Sequence, residues 1–181
     1  MLGFILRTST NFTQVKTLKT LYFAYVKSNV EYASQVWNPQ YAVYNNRIEL
    51  IQKKFIRHLQ YKDKTFLADY LTRCNHFHIL PLSVRREIAD ITYLINLATG
   101  KVDCPELLSK LCLRVHNRAL KNMHLLYTPK VNTNYRGNSF MVRAASKFNS
   151  LTCDIDLFAS SVGSARRAMT SELLSGMNDV P

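Results

Sequence analysis

The chain has 181 residues, long enough for one domain, or one domain and a small appendage, with a buried core. Its 24 Lys and Arg against 12 Asp and Glu give a formal charge of +12, which favours polyanionic partners such as nucleic acid or an acidic membrane surface. No apolar run is long enough to span a bilayer and the N-terminus lacks a signal-peptide layout, so the expectation is a soluble intracellular protein, nuclear or cytoplasmic, without membrane contact.

Residues 1–12 (MLGFILRTSTNF) hold a short apolar run between a glycine and a Ser/Thr cluster, which predicts an edge strand in need of partners. From Thr13, read as an N-cap, the period becomes helical. Val15, Leu18, Tyr22, Tyr25, Val26, Asn29, Ala33 and Val36 fall on one side, with Lys16, Thr20, Lys27 and Glu31 opposite. Pro39 disfavours helical geometry at Asn38, so this helix is expected to stop near Trp37. A second helix is predicted from about Asn45 to Leu59, with Ile48, Ile51, Phe55 and Leu59 inward. Lys53, Lys54 and Arg57 cluster about half a turn away from that face. Residues 47–64 carry six basic and two acidic side chains, a local +4. After a polar break at Tyr61 to Lys64, Thr65 is expected to cap a short helix reaching Arg73.

Pro81-Leu82-Ser83 opens the best-punctuated helix, with Ser83 as N-cap, Val84, Ile88, Ile91, Ile95 and Ala98 on one face, and Gly100 as the left-handed residue after its end. Pro105 starts a brief helix through Leu111. Residues 112–137 have no sustained period and are expected to be extended. Residues 101–150 carry nine basic and two acidic side chains, a local +7. Helical spacing resumes from Ser139 to Leu151 and from Ser161 to Leu174, with the last seven residues expected to fray. The fold class that follows is mainly α, a helical bundle with a short N-terminal strand and an irregular basic segment.

Five ordered blocks carry a resemblance over nearly the whole chain: LYFAYVKSNVEYASQVWNP from Leu21, RIELIQKKFIRHL from Arg47, PLSVRREIADITYLINLATGKVDCPELL from Pro81, YRGNSFMVRAASKFNSL from Tyr135 and DIDLF from Asp154. They resemble the C-terminal region of reverse transcriptases of jockey-like non-LTR retrotransposons. The resemblance implies a strand remnant near the primer grip at 1–12, a thumb-like helical bundle at 13–100 and a C-terminal extension at 101–181. It also implies that the palm, with its Tyr-x-Asp-Asp motif and Mg2+, would lie before Met1. The chain contains no Asp-Asp pair, and two-metal nucleotidyl transfer needs converging carboxylates. The expectation is therefore a polymerase fragment, a truncated or degenerate copy, that has no catalysis or cofactor of its own. Its partners would be RNA/DNA or other nucleic-acid backbone and a separate palm-containing chain. The alternative is a protein-interaction or structural remnant with no nucleic-acid role.

On charge alone Lys53, Lys54 and Arg57 are either phosphate contacts or an ordinary solvated face, and the resemblance implies the former because a thumb grips duplex backbone. Arg114, Arg118, Lys121, Lys130 and Arg136, with Tyr127 and Tyr135 interleaved, are either a stacking surface for single strands or a basic loop whose tyrosines anchor in the core. Arg85 and Arg86 open a helix, where positive charge is disfavoured, so a phosphate or an ion pair with Glu87 or Asp90 is expected to offset them. Trp37, Tyr22, Tyr25, Tyr32 and Tyr41 are expected in the core. The cysteines at 74, 104, 112 and 153 show no CxxC spacing and are expected as reduced thiols. Cys74, His76 and His78, with Cys104, Cys112 and His116 as further donors, do not match an established zinc spacing, and no metal site is expected.

Overall fold

In a computed structural model, which describes residues 1–114, 124–151, 155–158 and 161–178, the chain is mainly α-helical. It divides into two units, Met1–Arg86 and Glu87–Pro181.

The first unit begins with a correction. Residues Leu2–Thr8 form a helix, α1, where an edge strand was expected. A lone strand leaves its backbone groups unpaired, whereas a helix satisfies its own. The helix also turns Ile5, buried, and Leu2, half-buried, onto the core. Helix α2 (Val15–Tyr22) follows, with Gln14 at the N-cap position instead of Thr13. It runs into a π turn at Phe23–Lys27 and then into α3 (Ser28–Glu31). The helix expected to reach Trp37 in one piece breaks at Ala33, a left-handed residue with φ 49°, before the short α4 (Ser34–Trp37).

The π turn has a readable cause. Among the side chains of this stretch that pack on the core, Leu18, Tyr22, Val26 and Val30 are each four residues from the last. In an α-helix every four-residue step carries a side chain ~40° past a full turn, so three such steps would rotate Val30 off the face. The wider π turn takes that drift back. Tyr25, read from α-helical spacing as inward, is accordingly exposed.

Helix α5 (Ala42–Asp63) is longer at both ends than its apolar spacing indicated and stops at Lys64, which is left-handed with φ 53°. It contributes Phe55, Ile56 and Leu59 to the core, while Ile48 and Ile51 are half-buried. The Tyr22 and Phe55 rings stack with centroids 4.0 Å apart and planes 6° from parallel. Helix α6 (Tyr70–His76) is capped by Asp69, whose carboxylate accepts from Leu71 N at 2.9 Å; Thr65 does not take that role. Cys74, Phe77 and Ile79 complete this core.

Helix α7 (Leu82–Ala98) starts one residue before Ser83, so Ser83 lies inside the helix and cannot be its N-cap. Its C-terminus ends as expected. Gly100 has φ +70°, Lys101 N donates to Asn96 O at 2.9 Å and Gly100 N to Leu97 O at 3.2 Å, which closes the helix in a Schellman-type turn.

In the second unit, α8 (Pro105–Leu108) carries proline in its first turn. Among the described residues there is no strand; of the extended chain expected over 112–137, residues 115–123 lie outside the described residues, and the remainder carries one antiparallel bridge between Leu113 and Leu126, followed by α9 (Asn134–Gly137). Leu126 is held further by Asn149, whose amide accepts from Leu126 N at 3.1 Å and donates to Leu126 O at 2.8 Å, as a neighbouring strand would. Asn149 sits on α10 (Phe140–Ser150), which buries Ala144, Ala145 and Phe148. Phe140 meets Tyr93 edge to face at 5.2 Å. Arg143 pairs with Asp90 at 2.8 Å and Lys147 with Glu87 at 3.1 Å. Helix α11 (Val162–Asn178) buries Ala165 and Met169.

Candidate nucleic-acid interface

The most cationic exposed element of the first unit is α5. Buried residues at Gln52, Phe55, Ile56 and Leu59 fix its inner face, which leaves Arg47, Lys54 and Arg57 exposed on the other. At ~100° per residue these three lie within about 80° of one another, along about 15 Å of helix. One strand of a duplex carries about four phosphates over that length. Tyr61, exposed, continues the same line.

The local charge count understates this stripe. Of the two carboxylates in 47–64, Glu49 is buried and Asp63 accepts from His76 at 3.1 Å. Neither acid stands among the three exposed cations.

Lys53 departs from its neighbours. It is half-buried, with Nζ 5.2 Å from the centre of the Tyr70 ring, a cation–π contact. Lys54 and Arg57 remain as expected, exposed. Arg47 was missed because it precedes the Lys-Lys cluster by a full two turns and looks isolated in the sequence. The signal that finds it is its seven-residue spacing to Lys54.

Arg85 takes a different place from the one the sequence suggested, and Arg86 gains a partner it did not indicate. Arg85 pairs with Glu31 at 2.9 Å and donates to Gln52 Oε1 at 2.6 Å. Arg86 is 2% exposed and donates to Asn45 Oδ1 at 2.7 Å. Both guanidiniums lie inside a polar network with protein partners, and neither presents itself to a phosphate. The N-terminus they crowd is neutralised by a carboxylate from another helix: Glu49 accepts from Leu82 N at 3.0 Å, Ser83 N at 3.2 Å and the Tyr70 hydroxyl. Gln52 ties the network together, accepting from Tyr22 OH at 3.2 Å and donating to Leu80 O at 2.9 Å and Tyr70 OH at 3.0 Å.

In the second unit Arg114, Lys130 and Arg136 are exposed, and so are Tyr127 and Tyr135, which overturns the reading of those tyrosines as core anchors. Arg118 and Lys121 lie outside the described residues. Of Trp37 and the four tyrosines expected in the core of the first unit only Tyr22 is there. Tyr25, Tyr32, Tyr41 and Trp37 are exposed, Tyr32 at 80%. The break at Ala33 and the π turn set them outward, and neither is visible in a 3.6-residue period.

Among the described residues no group of three or more His, Cys, Asp and Glu converges to hold a metal. Cys74 is buried in the core, and burial pushes its thiol up to about 11. Because the folded value is raised above the ordinary one, its contribution to stability is complete below pH 9 and is lost as pH rises through about 11. Tyr22, also pushed up by burial, to about 12, acts in the same direction above pH 10. The expected outcome of thiol alkylation at neutral pH, mapped by peptide mass, is rapid modification of exposed Cys112 and protection of Cys74 until the protein unfolds. Comparable rates at the two would contradict the placement of Cys74.

Comparisons with protein families, with curated proteins and with solved structures gave no match to this chain. No helix among the described residues is long and apolar enough to cross a membrane.

Proposed function

We propose that this chain is a thumb-like and C-terminal-extension segment of a non-LTR retrotransposon reverse transcriptase, binding nucleic acid through the phosphate backbone without reading sequence and without catalysis of its own. The observation that carries the binding is the line of Arg47, Lys54 and Arg57 on α5, exposed and with the helix's acidic residues engaged elsewhere. The polymerase assignment rests on the five ordered sequence blocks. Exposed Arg114 and Arg136 beside Tyr127 and Tyr135 supply a second cationic and aromatic surface suited to single strands.

The test is fluorescence anisotropy with a labelled RNA/DNA hybrid and a labelled single strand, titrated from about 50 to 200 mM salt. Log affinity should fall linearly with log salt, with one slope for scrambled sequences. No binding at the lowest salt, or a strong preference for one sequence, would overturn the reading.

A second reading, a protein-interaction remnant, is favoured by one observation: Phe23, Tyr25, Tyr32, Val36, Trp37, Tyr41, Val43 and Tyr44 are all exposed within 22 residues. So dense a run of exposed large apolar side chains marks a contact surface. Light scattering separates the two readings. A monodisperse monomer that binds nucleic acid supports the first, and self-association without nucleic-acid binding supports the second.

A further inference from the structure

The second unit contains a cavity of about 500 Å³ lined by α8 and the segment after it, by Tyr127 and Pro129, and by α9 and α10. That is within the range of small-molecule sites, ~300 to 1,000 Å³. Its walls are mostly hydrocarbon and sulfur, from Leu111, Phe140, Met141 and the Cys112 side chain. Its charged lining consists of Lys110 and Arg136, both exposed, and no Asp or Glu lines it. Among the described residues neither cation forms an ion pair.

The geometry points to a binding site for an apolar carboxylic acid, such as a medium- or long-chain fatty acid. The chain would lie against Leu111, Phe140 and Met141, and the carboxylate would meet Lys110 and Arg136. Two observations choose this class. First, hydrogen-bonding side chains suited to a nucleobase edge are few, the neutral ones being Ser139 and Tyr127. The Ser139 hydroxyl is already donated to Arg136 O at 2.8 Å, so a nucleotide would lose more solvation than it regains. Second, two cations in a lining that holds no acid match an anionic head and reject a cationic one. Each methylene that leaves water contributes ~0.8 kcal/mol, so affinity should climb with chain length until the cavity is full. The inference does not use the α5 stripe, but it shares Arg136 and Tyr127 with the second cationic surface, and the comparison of laurate with AMP separates the two uses.

The test uses the whole chain and laurate below its micelle concentration, in isothermal titration at neutral pH. Expected are one site per chain, at least tenfold weaker binding of dodecylamine and of AMP, and at least tenfold weaker binding of laurate to K110E/R136E. Dodecanol should bind parent and double variant alike. A145F, which fills the cavity from its buried floor, should abolish binding of both ligands. If circular dichroism shows A145F unfolded, the deciding measurement is alkylation of Cys112, which saturating laurate should slow at least fivefold. Multiple weak sites, equal binding of dodecylamine, tighter binding of AMP, or unchanged Cys112 reactivity would each overturn the assignment.

Discussion

Replacing Arg47, Lys54 and Arg57 together by alanine is expected to lower the salt dependence of nucleic-acid binding by about three units of slope, one for each phosphate contact removed. All three are exposed on one face of α5, and no ion pair among the described residues holds them. The variant should therefore keep the parent melting temperature, since substitutions at such positions usually change stability by under ~0.5 kcal/mol. The loss should be uniform across sequences, because backbone contacts carry no sequence information. Lys53→Ala is the internal control. Its ammonium lies over the Tyr70 ring, so its removal should cost stability more than slope. A triple variant with an unchanged slope would place the binding surface elsewhere, with Arg114 and Arg136 as the next positions to remove.

Glu49→Ala is expected to be among the most destabilising single changes in the first unit. It leaves the Leu82 and Ser83 amides and the Tyr70 hydroxyl without their acceptor, and removes the carboxylate that accepts from the first amides of α7. Hydrogen bonds to a charged group are worth ~1.5 to 3 kcal/mol each, and buried donors left unpaired cost a similar amount. A total of about 3 kcal/mol or more corresponds to a fall of roughly 6 to 12 °C in Tm for a chain of this size. Glu49→Gln keeps one acceptor oxygen and should lose about half as much. A Glu49→Ala variant melting within about 2 °C of the parent would show that the carboxylate does not secure α7.

How much of this was legible in the sequence depends on which interactions fixed each element. Leu82–Ala98 could be read nearly to the residue at its C-terminus, because Gly100 and the apolar period are local signals. Its N-terminus could not, since the cap is Glu49, 33 residues upstream of Leu82, and a glutamate amid basic residues reads as solvated. Arg85 was misread for the same reason: its partner Glu31 comes from a distant segment. Leu2–Thr8 was misread because seven residues of mixed apolar character suit a strand or a helix, and only Ile5 meeting the core decides between them. The Lys54 and Arg57 positions were legible from helical spacing alone. The exposed tyrosines were not, because two irregularities in the backbone, at Phe23–Lys27 and Ala33, change the direction of everything after them.

The π turn also bears on how this chain tolerates a change of length. With one residue removed at Ala24, which is exposed, the separation of Tyr22 and Val26 shrinks from four to three, and the buried series becomes four, three, four. That is the spacing an unbroken α-helix aligns along one side, with a net rotation of only ~20° from Leu18 to Val30. A single-codon deletion there would straighten the helix and leave its buried contacts in place, whereas the same deletion between Phe55 and Leu59 would swing one of them out into water.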